Sequence, residues 1–117
     1  MNRPQHAIRS ACVIGSGVMG AQIAAHLANA GLNVLLLDIV PDQLAEEEMR
    51  CGLTLAASAV RNRLALEALR RLGETEPASL YDEAFLTRIR VGNMEDDLPL
   101  MREADWIIEA VTEKLEV

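Results

Sequence analysis

Along the first part of the chain, short unbroken apolar runs alternate with a stripe of helical period. Ala11-Cys-Val-Ile14 is a run that ends at Gly15, the pattern of a parallel strand covered on both faces. Met19, Ile23, Leu27 and Ala30 then recur at i, i+4, i+8 and i+11, with Gln22, His26 and Asn29 on the opposite face. That spacing predicts an amphipathic helix burying the first set and closed by Gly31. Val34-Leu-Leu-Leu37 follows and stops at Asp38, so residues 11–38 read as strand, turn, helix, strand: a right-handed βαβ unit with parallel strands.

Beyond Asp38 the pattern is more helical. Pro41 suits a first helical turn, where a missing N–H costs nothing, and a helix is predicted from Pro41 to Arg50 before Gly52 interrupts it. A longer helix follows, with Ala57, Val60, Leu64, Ala68 and Leu72 along its inner face and pairs such as Glu67 with Arg71 on its solvated side. Residues 73–79 read as a loop and 82–87 as a short helix. Ile89-Arg-Val91 is a third strand ended by Gly92-Asn93, 94–97 an acidic loop, and 98–103 a short helix. Trp106-Ile-Ile108 is the apolar centre of a fourth strand, with 109–111 its carboxyl end. The whole reads as an α/β, Rossmann-type doubly wound parallel sheet, with residues 1–10 as a tail and 11–117 as one domain.

Composition supports this reading. Half of the 117 residues are apolar but only 3% are aromatic, so the core is built from aliphatic side chains and alanine. A net charge of −7 argues against a nucleic-acid partner, which requires a dense Lys/Arg surface. No apolar run approaches the ~20 residues of a membrane span, and the first ten residues lack a signal-peptide core, so the chain reads as soluble and cytoplasmic. Cys12 and Cys51, on a buried strand and a helix, lack CxxC spacing or a local His/Asp partner and read as reduced structural thiols; His6 and His26 read as solvated.

The chemistry sits in Gly15-Ser16-Gly17-Val18-Met19-Gly20. A GxGxxG string alone is weak evidence, but this one follows a predicted strand, opens a helix and is followed by an acid at the end of a second strand. Gly15 permits the tight turn, Gly17 lets the backbone approach a pyrophosphate, and Gly20 lets helix and strand pack closely. The first-turn N–H groups and the helix dipole then face the phosphates. Asp38, 18 residues after Gly20, is placed to accept the adenosine ribose hydroxyls and to repel a 2′-phosphate. No Arg follows it at once, so the cofactor expected is NAD rather than NADP, and FAD sites usually carry Glu there; the alternative is that Asp38 only caps the next segment. Glu109 and Glu113 flank the end of the fourth strand, where ligands of such sheets bind, although Glu109 would serve equally as a hydrogen-bond partner for a neighbouring loop.

Residues 13–31 with Leu-Leu-Leu-Asp38, and Trp106-Ile-Ile-Glu-Ala-Val-Thr-Glu113, resemble the two signatures of the NAD-binding domain of 3-hydroxyacyl-CoA dehydrogenases. Asp38-Ile-Val-Pro41, Val60-Arg-Asn-Arg63 and Gly92-Asn-Met-Glu-Asp-Asp97 look most like long fused bacterial proteins of fatty-acid β-oxidation, in which an enoyl-CoA hydratase region comes last. The resemblance implies oxidation of (3S)-3-hydroxyacyl-CoA to 3-oxoacyl-CoA. It places the loop from Gly15 to Gly20 on the pyrophosphate, Asp38 on the adenosine ribose and Glu113 on the nicotinamide side, with Glu109 and Val111 counted among the cofactor-binding residues.

The resemblance also implies a helical hairpin after the second strand that touches coenzyme A. Ser58 matches that family's Ser, Ala65 stands where its Lys is expected, and Arg61 or Arg63 would replace the Lys. The catalytic His, its Glu partner, the Ser and Asn that hold the substrate carbonyl, and a helical dimerisation domain would all lie beyond Val117. The reading is therefore of an incomplete domain, inactive alone, with any homodimer formed through the missing part. Other β-hydroxyacid or sugar-nucleotide dehydrogenases share the glycine loop, but the second signature counts against them. A non-catalytic NAD-sensing module would carry the same loop and signal through a DNA-binding or partner domain, but no basic recognition helix appears and the acidic charge opposes it.

Overall fold

The computed structural model describes residues 8–74 and 83–110. Four strands, β1 (Ser10–Ile14), β2 (Asn33–Asp38), β3 (Ile89–Asn93) and β4 (Trp106–Glu109), form one sheet in the order β3-β2-β1-β4. Every ladder is parallel: Val13 lies opposite Leu36 and Ile108, and Leu36 opposite Val91. The chain steps outward from β1 to β3 and then crosses back to the far side of β1. The strand order therefore reverses between β1 and β4, at whose carboxyl ends such sheets bind ligands.

The third strand runs through Gly92 and Asn93, pairing them with Leu37 and Asp38, where the apolar pattern predicted its end. A 3-10 turn, Glu83–Arg88, leads into it, in place of the helix predicted from residue 82, a position outside the described residues. At the amino end of the sheet, the Asp105 carboxylate accepts from the backbone N–H groups of Arg9 (2.9 Å) and Ser10 (3.2 Å), clamping the entry of β4 to that of β1.

Helix α1 (Val18–Asn29) packs on the sheet through Ala21, Ala24, Ala25, Leu27 and Ala28. This differs from the predicted face: Met19 is 70% exposed and Ala30 is exposed, while Ile23 is half-buried. Leu27 of the predicted face is buried and Ile23 packs against the core, while the rest of the buried stripe is alanine, whose small side chain lets the helix backbone lie close to the strands. At the other end the prediction is correct. Gly31 adopts φ +98 with its N–H on Ala28 C=O, and Leu32 N–H reaches Leu27 C=O (3.1 Å), the paired bonds of a Schellman cap.

Between β2 and β3 the helical segment is more broken than its pattern predicts. Pro41 lies in a loop, and α2 covers only Glu46–Arg50, started by the Glu48 carboxylate accepting from Ala45 N–H (2.7 Å). The long second helix is split at Asn62 into α3 (Ser58–Arg61) and α4 (Arg63–Glu74), so Gly73 and Glu74 are helical rather than loop. The break shifts the phase of the inner face. Val60, Ala65, Ala68 and Leu72 are buried, while Leu64, expected inside, is exposed. On the outer side Glu67 pairs directly with Arg70, with Arg71 adding a coulombic attraction, and Arg70 also holds Glu74. The two arms of this hairpin are joined by Arg63, which pairs with Glu48 at 2.6 Å and donates to Gln43 C=O.

The core lies between one sheet face and helices α1 and α4, where Val13, Val34 and Leu36 meet the two alanine stripes. Each fully buried leucine there is worth roughly 2 kcal/mol of transfer free energy. On the opposite face Cys12 and Leu37 are fully buried, while Leu35 is half-buried. A short helix, α5 (Leu98–Met101), precedes β4, and a cavity of about 370 Å³ opens between Leu35, Arg90, Leu100 and Ala104. Trp106 and Ile107, predicted as an apolar strand centre, are 48% and 45% exposed, β4 being at the edge of the sheet among the described residues. No helix among the described residues is long and apolar enough to cross a membrane.

The cysteines occupy different environments. Cys12 is fully buried, and burial pushes its thiol up to about 11; Cys51 follows the last residue of α2 and is exposed, not part of a helix interior. Ellman's reagent is therefore expected to titrate Cys51 alone in the folded chain and Cys12 only after unfolding. Two fast thiols without denaturant would contradict the burial of Cys12.

Candidate functional site

The glycine loop joins β1 to α1 across a turn that only its first glycine tolerates easily. Gly15 sits at φ +103, and its N–H donates to Leu37 C=O (2.8 Å), which continues the β1–β2 ladder one step into the loop. A Cβ on Gly20 would overlap the carbonyl oxygen of Gly15 and touch the Ala110 Cβ, so helix and strands meet backbone to backbone at that point.

Gly17 is different: a Cβ there would meet no protein atom within 4 Å. The space is open, as a cradle for a bound pyrophosphate requires. Gly17 is the N-cap of α1, no side chain caps its N–H groups, and its first turn carries no acid. A 12-residue helix with an uncapped, unopposed N-terminus presents donors and a positive dipole end to an anion. The residues present therefore fit the phosphates of a dinucleotide.

Ser16 and Asp38 close the other side of the loop. Ser16 is 3% exposed and gives both its backbone N–H (2.8 Å) and its hydroxyl (2.5 Å) to Asp38 Oδ2. The second oxygen, Oδ1, accepts Ile39 N–H at 2.7 Å. Asp38 thus does cap the segment after it, as the alternative reading expected, but it also turns its carboxylate onto the glycine loop. Its own carbonyl accepts Met94 N–H (2.9 Å), which ties the end of β2 to the turn after β3.

That turn holds a polar cluster. Asn93 is 1% exposed; its Oδ1 accepts the N–H groups of Glu95 and Asp96, and its Nδ2 donates to Asn62 Oδ1 (2.7 Å) and Asp96 Oδ2 (3.0 Å). Arg61 grips Asp96 through Nε (2.7 Å) and NH2 (3.0 Å) and also reaches Glu95. The hydrogen bond from Arg61, followed by that from Asn93, holds the Asp96 carboxyl below its ordinary value of 3.8. Helices α3 and α4 are thereby pinned, at the break between them, to the carboxyl edge of the sheet.

Gly15 to Gly20 and Asp38 come together at one end of β1 and β2, and Glu109 stands on the neighbouring strand opposite Ile14, exposed to solvent. Ala110 N–H donates to Ile14 C=O (2.7 Å), so Ala110 lies beside the loop. Val111 and Glu113 lie outside the described residues. Ser58 is exposed at the start of α3, whereas Arg61 and Arg63 are both committed to carboxylates. Asn62 and Asn93 were not singled out by pattern. Gly92-Asn-x-x-Asp carries an Asx-turn signal, but its partner lies 31 residues away.

The chain matches the family described as 3-hydroxyacyl-CoA dehydrogenase, NAD binding domain, over residues 10–117. It is 54% identical over 110 residues to a probable 3-hydroxyacyl-CoA dehydrogenase of Bacillus subtilis, covering 94% of this chain and 14% of that protein. A protein of the same description from Deinococcus radiodurans is 46% identical, with 93% of this chain and 28% of its own length covered. A putative fatty acid oxidation complex trifunctional enzyme of Rickettsia felis is 36% identical, with 97% and 14% covered. The chain thus spans between 14% and 28% of the length of these relatives.

Two outcomes test this geometry. Gly20→Ala is expected to force α1 off β1 and to cost about 1–3 kcal/mol, as overpacking does, read as a lower unfolding midpoint in urea; an unchanged midpoint would contradict the contact. Because Asp96 is depressed in the folded state, the unfolded chain binds its proton first. The stabilisation is present above pH 3.8 and lost as pH falls through the lower folded value. Asp96→Asn should therefore weaken the fold most near neutral pH and converge with the parent on acidification. The difference is expected to be small, because the pair is partly solvated.

Proposed function

Since the chain belongs to the 3-hydroxyacyl-CoA dehydrogenase family as its NAD-binding domain, we propose that it binds NAD with the loop Gly15 to Gly20 on the pyrophosphate and Asp38 on the adenosine ribose. The enzyme it serves would oxidise (3S)-3-hydroxyacyl-CoA to 3-oxoacyl-CoA in fatty-acid β-oxidation. The observation that carries this reading is the Ser16–Asp38 contact, which brings an acid from the end of β2 onto the loop opening α1. An acid so placed accepts a ribose hydroxyl and opposes a 2′-phosphate.

When bound, NAD supplies the hydride acceptor. The chain's own residues supply binding and orientation: open space at Gly17, helix N–H groups for the phosphates, and a fixed carboxylate for the ribose. Glu109, Val111 and Glu113 are assigned to the nicotinamide side, a reading supported by the reversal of strand order between β1 and β4. Ser58 is retained as a coenzyme A contact, while Arg61 and Arg63 are assigned to the fold because their guanidiniums are already paired. We place the enzyme in the cytoplasm, in keeping with its free thiols at Cys12 and Cys51.

In isothermal titration the chain is expected to bind NAD and to prefer it over NADP, and Asp38→Ala to weaken NAD. No NAD binding at about millimolar concentration, or a preference for NADP, would overturn the assignment of Asp38.

A further inference from the structure

Asp38 is held against the glycine loop by contacts to its backbone and to both carboxylate oxygens. The backbone around it is fixed from both sides: Leu37 C=O accepts from Gly15 and Asp38 C=O from Met94. The remaining freedom belongs to the side chain, and the contacts that remove it are unequal. Oδ1 receives one local bond, from Ile39 N–H. Oδ2 receives two, both from Ser16, whose side chain is buried.

We propose that Ser16 is the positioning residue that sets the preference for an unphosphorylated adenosine ribose, by locking Asp38 onto the glycine loop. The inference rests on the reading of Asp38 as the ribose acid. A carboxylate oxygen has about two favourable acceptor positions, and Ser16 fills both on Oδ2. Oδ1 keeps one position beyond its bond to Ile39 N–H, directed by the bonds on the other oxygen. With both oxygens held, a 2′-phosphate meets a negative charge that cannot turn aside. Without the hydroxyl, Oδ2 keeps only the Ser16 N–H, and rotation of the side chain relieves the clash with the phosphate.

The serine is placed for this by its neighbours. Gly15 at φ +103 directs the Ser16 N–H toward β2, and the close contact at Gly20 keeps the loop from drifting away from the sheet. A hydrogen bond to a charged acceptor is among the stronger ones, so its loss is large enough to read in a binding ratio.

The test is a double-mutant cycle in the full chain, with dissociation constants for NAD and NADP measured for the parent, Ser16→Ala, Asp38→Ala and the double variant. Ser16→Ala is expected to weaken NAD by roughly tenfold while leaving NADP nearly unchanged, so that the preference contracts by about the same factor. In the Asp38→Ala background, Ser16→Ala should alter the preference no further. The ratio of the two constants does not depend on how much of a variant is folded, so a purely structural role for Ser16 leaves it unmoved. An unchanged ratio in Ser16→Ala, with a reduced one in Asp38→Ala, would overturn the role of Ser16 alone. An equal contraction on Ser16→Ala with and without Asp38 would also overturn it, because the effect would not pass through the carboxylate. If Asp38→Ala itself leaves the ratio unchanged, the reading of Asp38 as the ribose acid falls first.

Discussion

The contact between α1 and β1 at Gly20 is the constraint to which most of this fold answers. The Gly15 carbonyl oxygen occupies the space a side chain would take, so helix and strand are joined through their backbones. Most of the rest of the helix face is small as well, Ala21, Ala24, Ala25 and Ala28 lining it beside Leu27. The same proximity keeps the loop between them short and its first turn left-handed. A helix that began farther from the sheet would leave Gly17 and the first-turn N–H groups with no fixed position to offer an anion.

The second organising element is polar and lies along the carboxyl edge of the sheet. Ser16 holds Asp38, Asp38 holds Met94 through its carbonyl, and Asn93 beside it holds Asn62 and the acidic turn that Arg61 grips. This edge does two things with one set of contacts. It orients an acid beside the glycine loop, and it fixes the helical arms to the sheet at the point where they are broken. Arg61 and Arg63, which look available for a phosphate when read along the chain, are paired with carboxylates from distant segments.

Much of the plan was legible because it is local. The runs 11–14 and 34–37, the glycine loop, the cap at Gly31 and the acid at position 38 each declare themselves within a few residues, and each appears within a residue or two of its predicted place. Helix faces were less legible. Periodicity identified α1 and placed Ile23 and Leu27 correctly on its inner face, but it put Met19 and Ala30 there too, because it weighs hydrophobicity, whereas close backbone packing selects for size. The break at Asn62 was invisible for a related reason: its side chain accepts from Asn93, a partner 31 residues away, and that bond rather than any local propensity accompanies the change of phase.

By itself, the sequence determined the βαβ unit, the parallel sheet and the glycine loop, since short-range sterics and the alternation of apolar runs are sufficient for each. Only the tertiary structure decided which neighbours the charged side chains take. Arg63 joins Glu48 across 15 residues, Arg61 joins Asp96 across 35, and Ser16 joins Asp38 across 22. Such pairs depend on where the folded backbone brings distant segments together, and a linear pattern has no term for that.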